Sequence, residues 1–124
     1  MNFLIAFHSL FRWVVLAVLV GAVGVGLLQA ARRVPWRPGS DRPFLVATIV
    51  MDIQVGVGII LWLFGQAWQR GAFIGFIHPA AMLGALGVAH ASVGRARRAG
   101  AARAYLIAGL GLAASLVIVL LAIP

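Results

Sequence analysis

The sequence predicts an all-α integral membrane protein, an up-down-up-down four-helix bundle with both termini on the extracytoplasmic side. Three observations support this fold class. The 124-residue chain is 64% hydrophobic and only 10% charged, whereas a soluble domain of this size buries only about 60–70% of its surface. The apolar residues form four runs of roughly 20 residues. Almost all of the arginines lie between those runs.

The four predicted spans cover approximately residues 3–31, 44–65, 72–94 and 104–123, within a single domain of residues 1–124. At about 1.5 Å per residue, each run is long enough to cross a hydrocarbon core of about 30 Å. Pro35, Pro38 and Gly39 in the first loop break the first helix. We do not expect the first span to be a secretory signal peptide, because its apolar run is too long and no basic region precedes it.

The distribution of arginine predicts the orientation of the spans. The second loop holds one arginine, Arg70, whereas the first and third loops hold eight: Arg32, Arg33, Arg37, Arg42, Arg95, Arg97, Arg98 and Arg103. Positively charged residues concentrate in cytoplasmic loops. We therefore expect the first and third loops in the cytoplasm. Because all three loops are short, consecutive helices should be neighbours in the bundle.

Composition excludes several classes of function. The chain has no cysteine, so it has no disulfide framework, iron–sulfur cluster, thiolate metal site or covalent c-type haem attachment. Its formal charge is +8, but arginines spread over short loops do not form the accessible patch that a nucleic-acid partner requires. Hydrolase or transferase chemistry lacks its usual groups, since the sequence has neither a P-loop nor a pair of intramembrane carboxylates.

Two histidines are the strongest candidates for ligands of a cofactor. His8 and His78 each lie about five residues into parallel spans, roughly 8 Å from the same membrane face. Arg12 follows His8 by four residues and Met82 follows His78 by four, so each pair shares a helix face. A haem between these faces would have two axial imidazoles, and Arg12 would pair with a propionate. We therefore expect the haem iron between the two histidines.

Other roles for the intramembrane polar residues stay open. His90 lies twelve residues after His78, about 18 Å further along the helix and rotated by about 120°, so it is a candidate for a separate cofactor contact. Arg12 is also a candidate for a structural ion pair with Asp52, which should lie at a similar depth. Met82 is either a ligand or a core side chain. Together with the two candidate histidines it would also suit copper.

Short motifs are spread over nearly the whole chain: His8-Ser9-x-x-Arg12-Trp13, Asp52-x-Gln54-x-x-x-Gly58, His78-x-x-x-Met82, Gly94-Arg95 and Ile123-Pro124. In this order they resemble those of small bacterial four-helix membrane proteins labelled cytochrome b-like. The resemblance implies a b-type haem bundle that crosses the bacterial cytoplasmic (inner) membrane several times. Carried over by position, it implies His8 and His78 as the ligands, with Arg12 close by.

The expected function is electron transfer by a haem-b protein or small redox subunit, which exchanges electrons with quinone or a partner complex. A carrier or subunit is expected rather than a stand-alone enzyme. The alternative is a non-catalytic accessory subunit, since almost no chain lies outside the spans. Besides the lipid bilayer, the partners considered are therefore quinone, a larger membrane complex and further copies of the chain. A proton path through Asp52, His90 and Arg12 is a third hypothesis, although no broken helix or inverted repeat accompanies it.

Overall fold

Four long helices account for most of the chain. A computed structural model describes residues 2–124, in which α1 spans Asn2–Ala31, α2 Arg42–Phe64, α3 His78–Ala99 and α4 Arg103–Leu121. Between α2 and α3 lie a short 3₁₀ helix, Ala67–Gln69, and a π-helical turn, Phe73–Ile77, that runs directly into α3. Within residues 2–124 no strand is formed. The predicted all-α class is confirmed.

The four helices are long and apolar enough to cross a membrane. Their outward surfaces carry large apolar side chains, such as Leu10 and Leu121, which are 69% and 81% exposed. Exposure of such apolar surfaces to water is unfavourable, whereas their contact with the hydrocarbon of a membrane is not. The chain is therefore a multi-pass membrane protein by the length and composition of its helices.

Each helix packs against two others. Helix α1 contacts α2 and α4, and α3 contacts α2 and α4, so consecutive helices are adjacent and α4 closes against α1. The start of α1 lies beside the end of α2, where His8 contacts Gly58, and the end of α1 lies beside the start of α4, where Gly26 meets Tyr105 and Gly109. These contacts bring the start of α1 and the end of α4 to the same end of the molecule as the α2–α3 connection.

Backbone chemistry explains the π-helical turn before α3. Pro79 lies in the first turn of α3 and has no N–H group to donate to the carbonyl oxygen of Gly75, four residues earlier. The Gly75 oxygen instead accepts a hydrogen bond from the indole Nε1–H of Trp62, at 2.7 Å. A wider turn with a side-chain donor thus replaces the missing α-helical bond. The turn fixes the position of His78, the first residue of α3.

The arginine-rich end of the molecule is closed by aromatic side chains. Trp36 from the first loop, Phe44 from α2 and Tyr105 from α4 contact one another, with ring centroids 5.0–6.1 Å apart. Phe44 is fully buried. A second, more open pocket lies at this end, where Trp36 and residues of the first loop line it, but Phe44 and Tyr105 do not. The candidate ligand residues His8 and Arg12 of α1 and His78 of α3 lie at the opposite end of the molecule.

Candidate cofactor site

A cavity of about 380 Å³ lies at the end of the molecule away from the arginine-rich loops. Its walls come from the start of α1, the second half of α2, the start of α3 and the end of α4, and most of its lining residues are apolar. Pockets for small molecules and cofactors have volumes of about 300–1,000 Å³ and predominantly apolar walls with a few polar groups. Four of the predicted cofactor contacts line it: His8, Arg12, His78 and Met82.

His78 is held by a backbone carbonyl from a different helix. Its Nδ1 lies 2.7 Å from the carbonyl oxygen of Ala122, just after the end of α4. A carbonyl oxygen only accepts hydrogen bonds, so Nδ1 must carry the proton and donate. The lone pair of a neutral His78 ring is then on Nε2. Metal-binding histidines have this arrangement, in which one ring nitrogen donates to a carbonyl and the other binds the metal.

His8 lies across the same cavity, against a glycine of α2. A Cβ atom at Gly58 would lie 3.0 Å from Cε1 of His8, closer than ordinary van der Waals contact, so the ring would have to shift slightly to admit a larger residue. The carbonyl oxygen of His8 accepts a hydrogen bond of 2.8 Å from Nε2 of Gln54. Helix α2 thus holds His8 through its backbone and accommodates its ring one turn further along.

Three buried polar atoms beside the cavity have no hydrogen-bond partner among residues 2–124. They are Nδ1 of His8, Nε of Arg12 and Oε1 of Gln54. Buried polar groups in folded proteins are nearly always hydrogen-bonded, to protein or to ordered water. The guanidinium of Arg12 also lies over the ring of Trp13, 5.1 Å from its centroid. The unpartnered atoms fit a guest that carries polar or charged groups as well as apolar surface.

The donor set distinguishes between kinds of metal site. Within residues 2–124 no group of three or more His, Cys, Asp or Glu side chains is arranged to hold a metal ion. Protein-only sites for transition metals generally use three or four such ligands. A haem iron needs only one or two axial ligands from the protein, because the macrocycle provides the other four. Two imidazoles beside one cavity match the number of protein ligands that a haem iron needs.

The predicted Arg12–Asp52 ion pair is not formed among residues 2–124. Among the described residues, Asp52 pairs instead with His90, whose Nε2 lies 2.7 Å from Oδ1, and Arg97 pairs with Asp41 at 3.0 Å. Gln54 faces the cavity, and two residues rotate a helix by about 200°, so Asp52 points away from it. The side of α2 that carries Asp52 adjoins α3, and His90 meets it there.

His90 therefore belongs to a second polar site, separate from the cavity. It does not line the space beside His8 and His78, in agreement with the large separation along α3 expected from the sequence. Its side chain and that of Asp52 are about half exposed, at 51% and 46%. The separate cofactor contact expected of His90 stays a prediction.

Some lining groups were not among the predicted site residues. Gln54 and Gly58 are one helical turn apart and face the cavity together, and Arg70 lines it from the second loop. A lone glutamine in an apolar span, followed by glycine four residues later, is a signal that the sequence carried. The Ala122 carbonyl left no such signal, because any residue type supplies a carbonyl.

Comparisons with protein families, with curated proteins and with solved structures found no match.

Proposed function

We propose that this protein binds haem b in the cavity between α1, α2, α3 and α4 and transfers electrons to or from quinone or a partner complex. The observation that carries the proposal is the placement of two imidazoles from different helices, His8 and His78, beside one cavity. The hydrogen bond from Nδ1 of His78 to Ala122 adds to this support, because it makes Nε2 the basic nitrogen.

The residues of the cavity have distinct roles in this proposal. His8 and His78 would hold the haem iron, and Arg12 would neutralise a propionate. Met82 and the other apolar residues form the walls, which exclude water from the macrocycle. When bound, the haem supplies one-electron redox chemistry. The chain itself binds and orients the group and sets the polarity around it.

The proposal includes a membrane orientation. The bundle is up-down-up-down, with the eight-arginine end in the cytoplasm and both termini on the extracytoplasmic side of the bacterial inner membrane. It is supported by the confinement of those arginines to two loops and by the contacts of the start of α1 with the end of α2. The haem cavity then lies towards the extracytoplasmic side, where the electron partner must approach.

An absorption spectrum of the purified protein tests the haem proposal. We expect a Soret band and resolved α and β bands on reduction, since two axial imidazoles give a low-spin iron. His8→Ala and His78→Ala should each remove or broaden these bands. His90→Ala is the matched control and should retain them, because His90 lies outside the cavity. A haem-free preparation from haem-replete cells would overturn the proposal.

A second function is favoured by a different observation. Residues 2–124 place almost nothing outside the helices except short loops, which is the form expected of an accessory subunit of a larger membrane complex. Native gel electrophoresis of membranes solubilised in a mild detergent distinguishes the two proposals. A haem-free chain that migrates only with other proteins would support the accessory role. A haem-containing chain that migrates alone would contradict it.

A further inference from the structure

The His90–Asp52 pair lies on the outside of the helices, near the middle of α2 and away from either end of α3. Nε2 of His90 is 2.7 Å from Oδ1 of Asp52, and the two side chains are about half exposed. Both helices are long and apolar enough to span a membrane. Ionisable groups within spans normally face the interior of the protein, because hydrocarbon solvates them poorly. A surface pair at this depth indicates that another molecule covers it.

The unused atoms of the pair show what chemistry would cover it. In a low-dielectric surrounding the pair as a whole is expected to be neutral, either as imidazolium with carboxylate or as imidazole with carboxylic acid. In either form Nδ1 of His90 carries a hydrogen and Oδ2 of Asp52 accepts one. Each pair therefore presents one donor and one acceptor side by side. A second, identical pair related by a two-fold axis satisfies both groups at once.

The surface around the pair permits close approach of another helix. Gly87 lies one turn before His90 on α3, and Gly56 lies one turn after Asp52 on α2. A Cβ atom at either glycine would meet nothing within 4 Å, so both glycines lie beside open space. Small residues at such positions let the backbones of neighbouring membrane helices come together. The open space beside Gly56 and Gly87 forms a recess next to Asp52 and His90, the two groups that need a hydrogen-bond partner.

We propose that the protein forms a two-fold symmetric dimer through the α2–α3 face. Nδ1–H of His90 in each copy donates to Oδ2 of Asp52 in the other copy, and the glycine-lined recesses pack against each other. The two-fold axis runs along the membrane normal, so that both copies keep the same orientation and the two pairs lie at the same depth. The proposal is independent of haem, because the cavity opens between different residues.

Disulfide cross-linking tests the proposal directly, because the chain contains no cysteine. Gly87→Cys on one copy and Gly56→Cys on a co-expressed copy introduce thiols on the segments of α3 and α2 that face each other in this arrangement, and Gly21→Cys introduces one on α1; none of the three Cβ atoms meets anything within 4 Å. All three variants should fold normally. Oxidation in native membranes should link the Gly87→Cys copy to the Gly56→Cys copy and should link a Gly21→Cys copy to neither, since only thiols whose Cα atoms come within about 7 Å form a bond.

A second pair of variants tests dimerisation without cross-linking. Gly87→Leu should fill the recess and weaken dimerisation by about tenfold or more, whereas Gly21→Leu should leave it unchanged. Sedimentation equilibrium in a density-matched detergent measures both. The proposal is overturned if the wild-type chain is monomeric in membranes and detergent. It is also overturned if Gly87→Cys links only to a different protein, or if bound quinone occupies the pair in a monomeric chain.

Discussion

His78 illustrates how one backbone group can prepare a side chain for binding. The last carbonyl groups of a helix have no intrahelical donors, and the Ala122 carbonyl, just past the end of α4, is available for this reason. It fixes the proton of His78 on Nδ1 through the 2.7 Å hydrogen bond. In the described part of the chain His8 has no such partner on Nδ1, so its orientation depends on the space left by Gly58.

Gly58→Ala tests that dependence. The added methyl group would lie 3.0 Å from Cε1 of His8, so the ring would have to shift by a few tenths of an ångström. We expect haem affinity to fall by about tenfold or more, the usual effect of disturbing the group that positions a ligand. Haem titration of the apoprotein, followed by absorbance, measures the change.

Gly56→Ala is the matched control for this substitution. It lies on the same helix two residues away, and its Cβ would meet nothing within 4 Å. Its haem affinity should equal that of the wild type. Equal affinities for the two variants would show that His8 does not bind the iron from its position against Gly58.

At the scale of whole helices, glycines determine how closely α1 and α4 approach. A Cβ atom at Gly26 would lie 2.7 Å from Cα of Gly109, and one at Gly109 would lie 3.1 Å from the backbone nitrogen of Leu27. The contact is therefore backbone against backbone, which cannot yield as a flexible side chain can. On the other side of α4, the buried hydroxyl of Ser115 donates to the carbonyl of Ala85 in α3.

Gly26→Ala should separate α1 from α4. Because the new methyl group meets main-chain atoms, we expect a loss of about 1–3 kcal/mol in the free energy of unfolding. Gly24→Ala, two residues earlier, meets nothing within 4 Å and should be neutral or slightly stabilising. Reversible unfolding in mixed micelles with increasing denaturing detergent measures both values. A neutral Gly26→Ala would contradict the close packing of these helices.

At the scale of the whole molecule, charge and cavity lie at opposite ends. Eight of the ten arginines are in the first and third loops or at the adjoining helix ends, and the cavity lies at the other end. Since loops rich in arginine stay in the cytoplasm, the cavity should be nearer the extracytoplasmic surface. An electron partner would then reach it from that side or from the outer half of the bilayer.

Reporter fusions test this orientation. Alkaline phosphatase fused after Pro124 should be active, because it folds only outside the cytoplasm, and green fluorescent protein fused there should be dark. The same reporters fused after Gly39 in the first loop should give the reverse result. A bright fluorescent fusion after Pro124 would mean that the cavity faces the cytoplasm.

The sequence predicted the presence and approximate extent of the helices better than their rotation. Long apolar runs bounded by Pro, Gly and Arg made the four helices predictable, although α3 continues to Ala99, beyond the predicted end at residue 94, since a helix can extend past the hydrocarbon. Asp52 was assigned the wrong partner because α2 is apolar on nearly all sides. No polar stripe therefore showed which face turns inward. Because a helix rotates by about 100° per residue, the face of α2 that turns inward determines which of its polar side chains can meet those of other helices.

Electron paramagnetic resonance of the ferric, haem-loaded protein tests the central claim most directly. If His8 and His78 are both axial ligands, the wild-type spectrum will show a single low-spin iron with two imidazoles. Each of His8→Ala and His78→Ala will convert it to a high-spin form or lose the haem, and Gly56→Ala will leave it unchanged. A high-spin wild-type signal, or a low-spin signal that survives both histidine substitutions, would contradict the claim.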